Sequence, residues 1–162
     1  MRFEFINDFE AHASADDVWA FYSSPNYPKQ VVQLLPTILE TKEILEGDGH
    51  SVGTVIRVVY LPGYVPHTYN EKIVTVDHEK RLKEVQQIEG GYLDMEFTYC
   101  MVSHEILAKE CNSCIIKSAV HAEINDEAAA NGSIIHNTLD GYVALARAVS
   151  KHIGEHHAKS AN

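Results

Sequence analysis

Thr68-Tyr69-Asn70-Glu71-Lys72-Ile73-Val74-Thr75-Val76-Asp77-His78-Glu79-Lys80-Arg81-Leu82-Lys83-Glu84-Val85-Gln86-Gln87 is the stretch whose pattern decides the fold. It reads as two alternating, β-branched runs around a polar turn, Val76-Asp77-His78-Glu79, and hence as an antiparallel hairpin. If Thr75 pairs with Glu79 across a three-residue loop, Glu71 stands directly opposite Lys83. Paired residues point to one face with Cβ atoms about 5 Å apart. Period-two alternation then gathers Tyr69, Glu71, Ile73, Lys83, Val85 and Gln87 on that face. On an exposed sheet such an ion pair is common and contributes about 0.2–1 kcal/mol. Facing a closed hollow it acquires chemical meaning. Burial drives each group toward its neutral form, the partner charge opposes the drift, and a carboxylate and a lysine poised near neutrality can serve as base and acid.

Working outward, strand patterns recur over 38–46, 53–61, 66–76, 79–88, 92–102, 103–110 and 114–123, with 103–110 readable as a continuation of its predecessor. Residues 2–10 alternate as a half-buried strand does, Phe3, Phe5, Asn7 and Phe9 against Arg2, Glu4, Ile6 and Asp8. Ser14-Ala15-Asp16-Asp17 offers an N-cap with acids in the first turn, and Val18, Trp19, Phe21 and Tyr22 follow at helical spacing. Pro25 and Pro28 break this helix, and a second short one through Gln30–Leu35 ends at Pro36. At the far end Ile135, Leu139, Tyr142, Ala146, Val149 and Ile153 form one apolar stripe of a long helix, with Gly132 and Gly141 loosening or kinking its start near 131–139. The expected fold is α+β: a curved antiparallel sheet of about seven strands wrapped around a long C-terminal helix, with two short helices after strand 1, in one domain over 1–162. A bent sheet under a long helix leaves an internal hollow, the kind of concave, mostly apolar space that takes small molecules.

The totals remove several classes of function. With 45% apolar and 22% charged residues the composition is globular. A net charge of −10 repels nucleic acid and anionic lipid, so neither is an expected partner. No apolar run approaches the ~20 residues of a membrane span. MRFEFINDFE lacks the basic-then-apolar build of a signal peptide, which points to the cytoplasm. Cys100, Cys111 and Cys114 fit reduced thiols, and Asn112-Ser113 inside the C-x-x-C reads as a turn. The glycine-rich loop Glu46–Gly53 lacks a phosphate-binding Gly-Lys-Ser/Thr ending and joins two strands, so it reads as a backbone turn. His152 and His156 have metal-ligand spacing on a helix, but no third ligand accompanies them, and a solvated helix tail is the simpler account.

Pro66-His67-Thr68-Tyr69-Asn70-Glu71-Lys72, Asp77-His78-Glu79-Lys80-Arg81-Leu82-Lys83, Ile88-Glu89-Gly90-Gly91-Tyr92-Leu93-Asp94 and Asn112-Ser113-Cys114-Ile115-Ile116-Lys117-Ser118 resemble plant norcoclaurine synthases. These are members of the pathogenesis-related class 10 family, which shares the helix-grip fold of the major birch pollen allergen. The likeness runs over essentially the whole chain, including Ala15-Asp16-Asp17-Val18-Trp19 and the Gly-Asp-Gly loop. The resemblance implies condensation of a dopamine- or tyramine-type arylethylamine with an aromatic aldehyde and Pictet–Spengler closure to a tetrahydroisoquinoline, a step of alkaloid biosynthesis. It implies Lys83 as the group that polarises the aldehyde or hydroxyl leaving group, Glu71 as the base that takes the aromatic proton, and Tyr69 at the entrance, hydrogen-bonding substrate. The expected substrate-binding wall is Ile73, Val85, Cys100, Val102 and Tyr142. Val102 departs from the family pattern, where an aspartate helps to hold the amine; the related norbelladine synthases, which form an imine from tyramine and 3,4-dihydroxybenzaldehyde without necessarily closing a ring, also carry an aliphatic residue there. Two other readings stay open: a non-catalytic carrier of hydrophobic plant metabolites or hormones, and a stress-induced protein that acts through another protein. No cofactor or metal is implied, and a monomer or weak homodimer is expected.

Overall fold

Along β1 (Arg2–Ala11) the side chains of Phe3, Phe5, Asn7 and Phe9 are half-buried between exposed neighbours, as their alternation requires. The computed structural model describes residues 1–160, with side chains described through 156; of the expected domain, 161 and 162 lie outside the described residues. The chain continues through α1 (Ala15–Tyr22), α2 (Tyr27–Leu34), β2 (Leu39–Glu46), β3 (Val55–Tyr60), β4 (Thr68–Asp77), β5 (Leu82–Gly90), β6 (Phe97–Glu110), β7 (Ser113–Ile124) and α3 (His136–Ser160). Ser14 caps α1 by accepting a hydrogen bond from the Asp17 amide at 3.1 Å. Pro28 begins α2 rather than breaking a helix, because a proline in the first turn forfeits no intrahelical hydrogen bond.

The seven strands form one sheet in the order β1-β7-β6-β5-β4-β3-β2, so β1 and β2, consecutive in the chain, lie at opposite edges with α1 and α2 between them. The expected strand 92–102 begins only at Phe97, because Gly91–Asp94 form a short 3₁₀ turn, and from there β6 runs unbroken to Glu110. A second 3₁₀ segment, Asp126–Ile135, holds Gly132 and leads into α3, whereas Gly141 lies within the regular helix and does not interrupt it. One apolar cluster packs α1, α2 and the sheet against Leu145, Ala146, Val149 and Ile153; a second gathers β6 and β7 against Ile135 and Leu139. Tyr142 packs against both clusters, at their junction. No helix among the described residues is long and apolar enough to cross a membrane.

The register of the central hairpin differs from the expectation. Glu71 pairs with Gln87, and Lys83 pairs with Val76. The turn is longer than three residues because the Asp77 carboxylate accepts from the Glu79 and Lys80 amides, at 3.1 and 3.0 Å, and Arg81 takes a left-handed conformation (φ 50°). A β-bulge between Ile73 and Thr75 adds one residue to β4 and restores the alternation beyond it. Around Glu71 the net displacement is therefore an even number of residues, and an even slip leaves every side chain on its original face. Glu71 and Lys83 both point inward, though not at each other's position.

Candidate functional site

Strand alternation delivers Tyr69 and Glu71 from β4 and Lys83 from β5 to the concave face, where they are 4%, 6% and 2% exposed. Lys83 reaches the C-terminal end of α1, where helix carbonyls have no intrahelical partner, and its Nζ donates to the Tyr22 carbonyl oxygen at 3.0 Å. The same nitrogen sits 3.7 Å from the centre of the Tyr27 ring. Burial lowers the Lys83 pKa to about 7; repulsion from Lys42 adds to the shift and Glu71 opposes it. A lysine titrating there exchanges protons at neutral pH.

Glu71 is engaged by a different lysine. Lys42 of β2 approaches its carboxylate at 3.3 Å, with both side chains almost wholly buried, although β3 lies between their strands. Phenols surround the pair. The hydroxyls of Tyr60 and Tyr69 share a hydrogen bond at 3.1 Å, and burial holds Tyr27, Tyr69 and Tyr142 well above the usual phenol range. His104 of β6 packs edge-on to Tyr142, with ring centres 4.7 Å apart. Burial, then the charges of Lys83 and Lys42, lower its pKa to about 3, so it is a neutral ring at physiological pH. Burial pushes the Cys100 thiol up to about 12, which removes it as a nucleophile.

Two adjoining spaces lie between sheet and helix. An outer cavity of about 470 Å³ opens between the β3–β4 loop, around Tyr64–Pro66, and the α3 residues Asn137–Gly141. An inner one of about 30 Å³ is lined by Lys42, Tyr69, Tyr142 and Leu145, and Ile38, Tyr60, Thr138 and Gly141 border both. Of the expected wall, Tyr142 lines the inner space. Ile73, Val85, Cys100 and Val102 are buried but border neither cavity, and Val102 is ladder-paired with Val85 and Val120. The hollow is smaller than the bare outline of sheet and helix implies because Tyr22, Tyr27 and His104 occupy much of it. Sequence reasoning missed Lys42 and Tyr60. The alternation that puts Lys42 on the face of Ile44 was readable, but its carboxylate partner, two strands away, was not. Among the described residues no group of His, Cys, Asp and Glu could hold a metal ion, and His152 instead packs against Phe21, ring centres 6.0 Å apart.

The comparisons with known proteins agree with this fold. The chain is 46% identical over 121 residues to S-norcoclaurine synthase 2 of Papaver somniferum, covering 74% of this chain and 52% of that protein, so it spans about half the length of that relative. It is 40% identical to norbelladine synthase of Narcissus pseudonarcissus over 154 residues, covering 94% of this chain and 93% of that one. Norcoclaurine synthase from Thalictrum flavum, in complex with dopamine and hydroxybenzaldehyde, superposes with a TM-score of 0.83 at 38% identity, over 96% of this chain and 88% of that one. The family model described as pathogenesis-related protein Bet v 1 family matches residues 1–156. Sheet order, helix placement and sequence thus lead to one assignment: the chain belongs to the Bet v 1 family of pathogenesis-related proteins.

Proposed function

We propose that this protein condenses an arylethylamine of the dopamine or tyramine type with an aromatic aldehyde through an iminium, and closes the ring in a Pictet–Spengler step. The observation that carries the reading is a lysine with a pKa of about 7 and a carboxylate on one water-shielded face, in a fold whose relatives include norcoclaurine and norbelladine synthases. The amine attacks the aldehyde carbon. One proton passes from the amine nitrogen to the oxygen, protonated Lys83 donates the second, the oxygen leaves as water, and the iminium forms. The ring carbon then attacks the iminium carbon, and Glu71 takes the aromatic proton that restores aromaticity, so one proton is given and one is taken. Tyr69 hydrogen-bonds substrate from the cavity wall. The outer cavity lies within the ~300–1,000 Å³ of small-molecule sites, whereas the inner space, lined by Lys42 but not by Glu71 or Lys83, holds about one water, so substrates reach the acid and base by parting the Tyr60–Tyr69 hydroxyl pair and widening the space behind it.

Val102 favours a second outcome, imine formation without ring closure, because an apolar side chain replaces the carboxylate expected to hold the amine. A hydrophobic-ligand carrier would need only the cavity and not the buried charges. The unpaired cysteines suit a reducing, cytoplasmic setting, with the chain acting as a monomer or weak homodimer. The deciding experiment compares Lys83→Met and Glu71→Gln with the unaltered chain, using dopamine and arylacetaldehydes. Each variant is expected to lose about 100-fold or more in kcat, the scale of general acid–base catalysis. Undiminished rates in both would refute the assignment.

A further inference from the structure

Lys42 is the buried charge that the reaction above does not use. It stands on β2, an edge strand of which only Leu39 is fully buried, yet its side chain is 6% exposed while Ile44, two residues along on the same face, is 41% exposed. An ammonium has taken the drier place. Burial of an ion is costly unless it is paired, and Lys42 is paired with Glu71 at 3.3 Å and lies 5.4 Å from the centre of the Tyr27 ring.

The charges in this region do not balance. Facing Lys83 are Tyr22 of α1, Tyr27 of α2, Lys42 of β2, Glu71 of β4 and His104 of β6, and behind His104 stands Tyr142 of α3. The phenols are held neutral by burial and His104 is uncharged near pH 7, so two lysines share a single carboxylate. One lysine must therefore surrender its proton more easily than the other. Lys42 holds the direct ion contact with Glu71. Lys83 bonds a carbonyl oxygen, a contact that a neutral amine keeps with one of its remaining N–H groups. The site is thus built to tolerate Lys83 in either protonation state, while Lys42 is committed to its contact with the carboxylate.

We propose that Lys42 is a positioning residue of the site, fixing the Glu71 carboxylate through their direct ion contact and reserving it from Lys83, which is left to the Tyr22 carbonyl oxygen. Because Lys42 borders the inner cavity, it is also the cation that an entering substrate meets there. For its substrates this rests on the condensation reading. The bland alternative is that an inward-pointing lysine merely guards a sheet edge against pairing with other chains. A guard needs no buried carboxylate partner, and Lys42 has one.

The test combines two readouts on Lys42→Met, with Lys42→Gln in reserve should the first fail to fold and Lys42→Arg as the charge-conserving control. One is steady-state kinetics of asymmetric product formation from dopamine and 4-hydroxyphenylacetaldehyde. The other, independent of turnover, is a carbon-13 NMR titration of the Lys83 Cε resonance, assigned with Lys83→Met. In the neutral variants kcat is expected to fall about tenfold with KM little changed, and Lys83 to titrate about one pH unit higher. Lys42→Arg should stay within about threefold of the unaltered chain, since it retains a charge-assisted contact to the carboxylate. Unchanged kinetics and an unchanged Lys83 titration, with only self-association increased, would overturn the proposal and leave the edge guard. If the unaltered chain makes no asymmetric product, the condensation reading fails and the titration alone decides: an upward shift supports the positioning role, and no shift overturns it.

Discussion

At the scale of the residue, the decisive effect is what burial does to an ammonium. Lys83 titrates near 10.5 in an unstructured chain and near 7 in the folded one. Between these values the unfolded chain binds more protons than the native state, so the free energy of unfolding rises with pH across that window; on acidification it falls from about pH 10.5 and levels off below about 7, where both states hold the proton. The gain ends near pH 10, where tyrosines of the unfolded chain begin to ionise while the buried phenols resist. We expect urea midpoints to climb from neutral to mildly alkaline pH in the unaltered chain and to stay nearly flat in Lys83→Met, which should also be the more stable of the two below neutrality. A midpoint independent of pH in the unaltered chain would mean that Lys83 is solvated. The inward direction of Tyr69, Glu71 and Lys83 was legible because alternation depends only on parity. The partner of Glu71 was not, since the contact with Lys42 crosses an intervening strand and no local pattern encodes strand order.

At the scale of the element, the β4–β5 hairpin shows why a wrong register still gave the right face. The turn was misjudged by its capping aspartate and by the left-handed Arg81, while the bulge at Ile73–Thr75 kept the inward set together. The end of β5 is set by Gly91. Its φ is +58°, and a Cβ there would lie 2.9 Å from Cβ of Tyr69 and 2.8 Å from Oε1 of Gln87, whose oxygen accepts the Tyr92 amide. Gly91→Ala should therefore cost about 1–2 kcal/mol for the left-handed backbone alone, with more for displacing Tyr69. Chemical denaturation would measure this, and a loss well under 1 kcal/mol would show that the turn relaxes freely. The helices were less legible in detail. Pro28 looked like a breaker and proved an initiator, because the same fixed φ that ends a helix in its interior suits its first turn.

At the scale of the molecule, a sheet whose consecutive edge strands are held apart by two short helices closes around α3 and leaves its charged groups under apolar cover. The chain as a whole carries a net charge of −10, yet two lysines and one carboxylate share its interior. On the proposed reading, that inversion is what equips the interior for proton transfer. The sheet-and-helix outline could be read from periodicity alone. How far the hollow is filled could not, because Tyr22 and Tyr27 enter it, against His104 of β6, only once the helices dock. Amines and aldehydes also condense slowly in water, so rate is a weaker witness than handedness. The most direct measurement is the enantiomeric composition, by chiral chromatography, of the tetrahydroisoquinoline formed from dopamine and 4-hydroxyphenylacetaldehyde. We predict a clear excess of one enantiomer with the unaltered chain and a near-racemate with Glu71→Gln; a racemate from the unaltered chain would contradict the claim that its interior directs the ring closure.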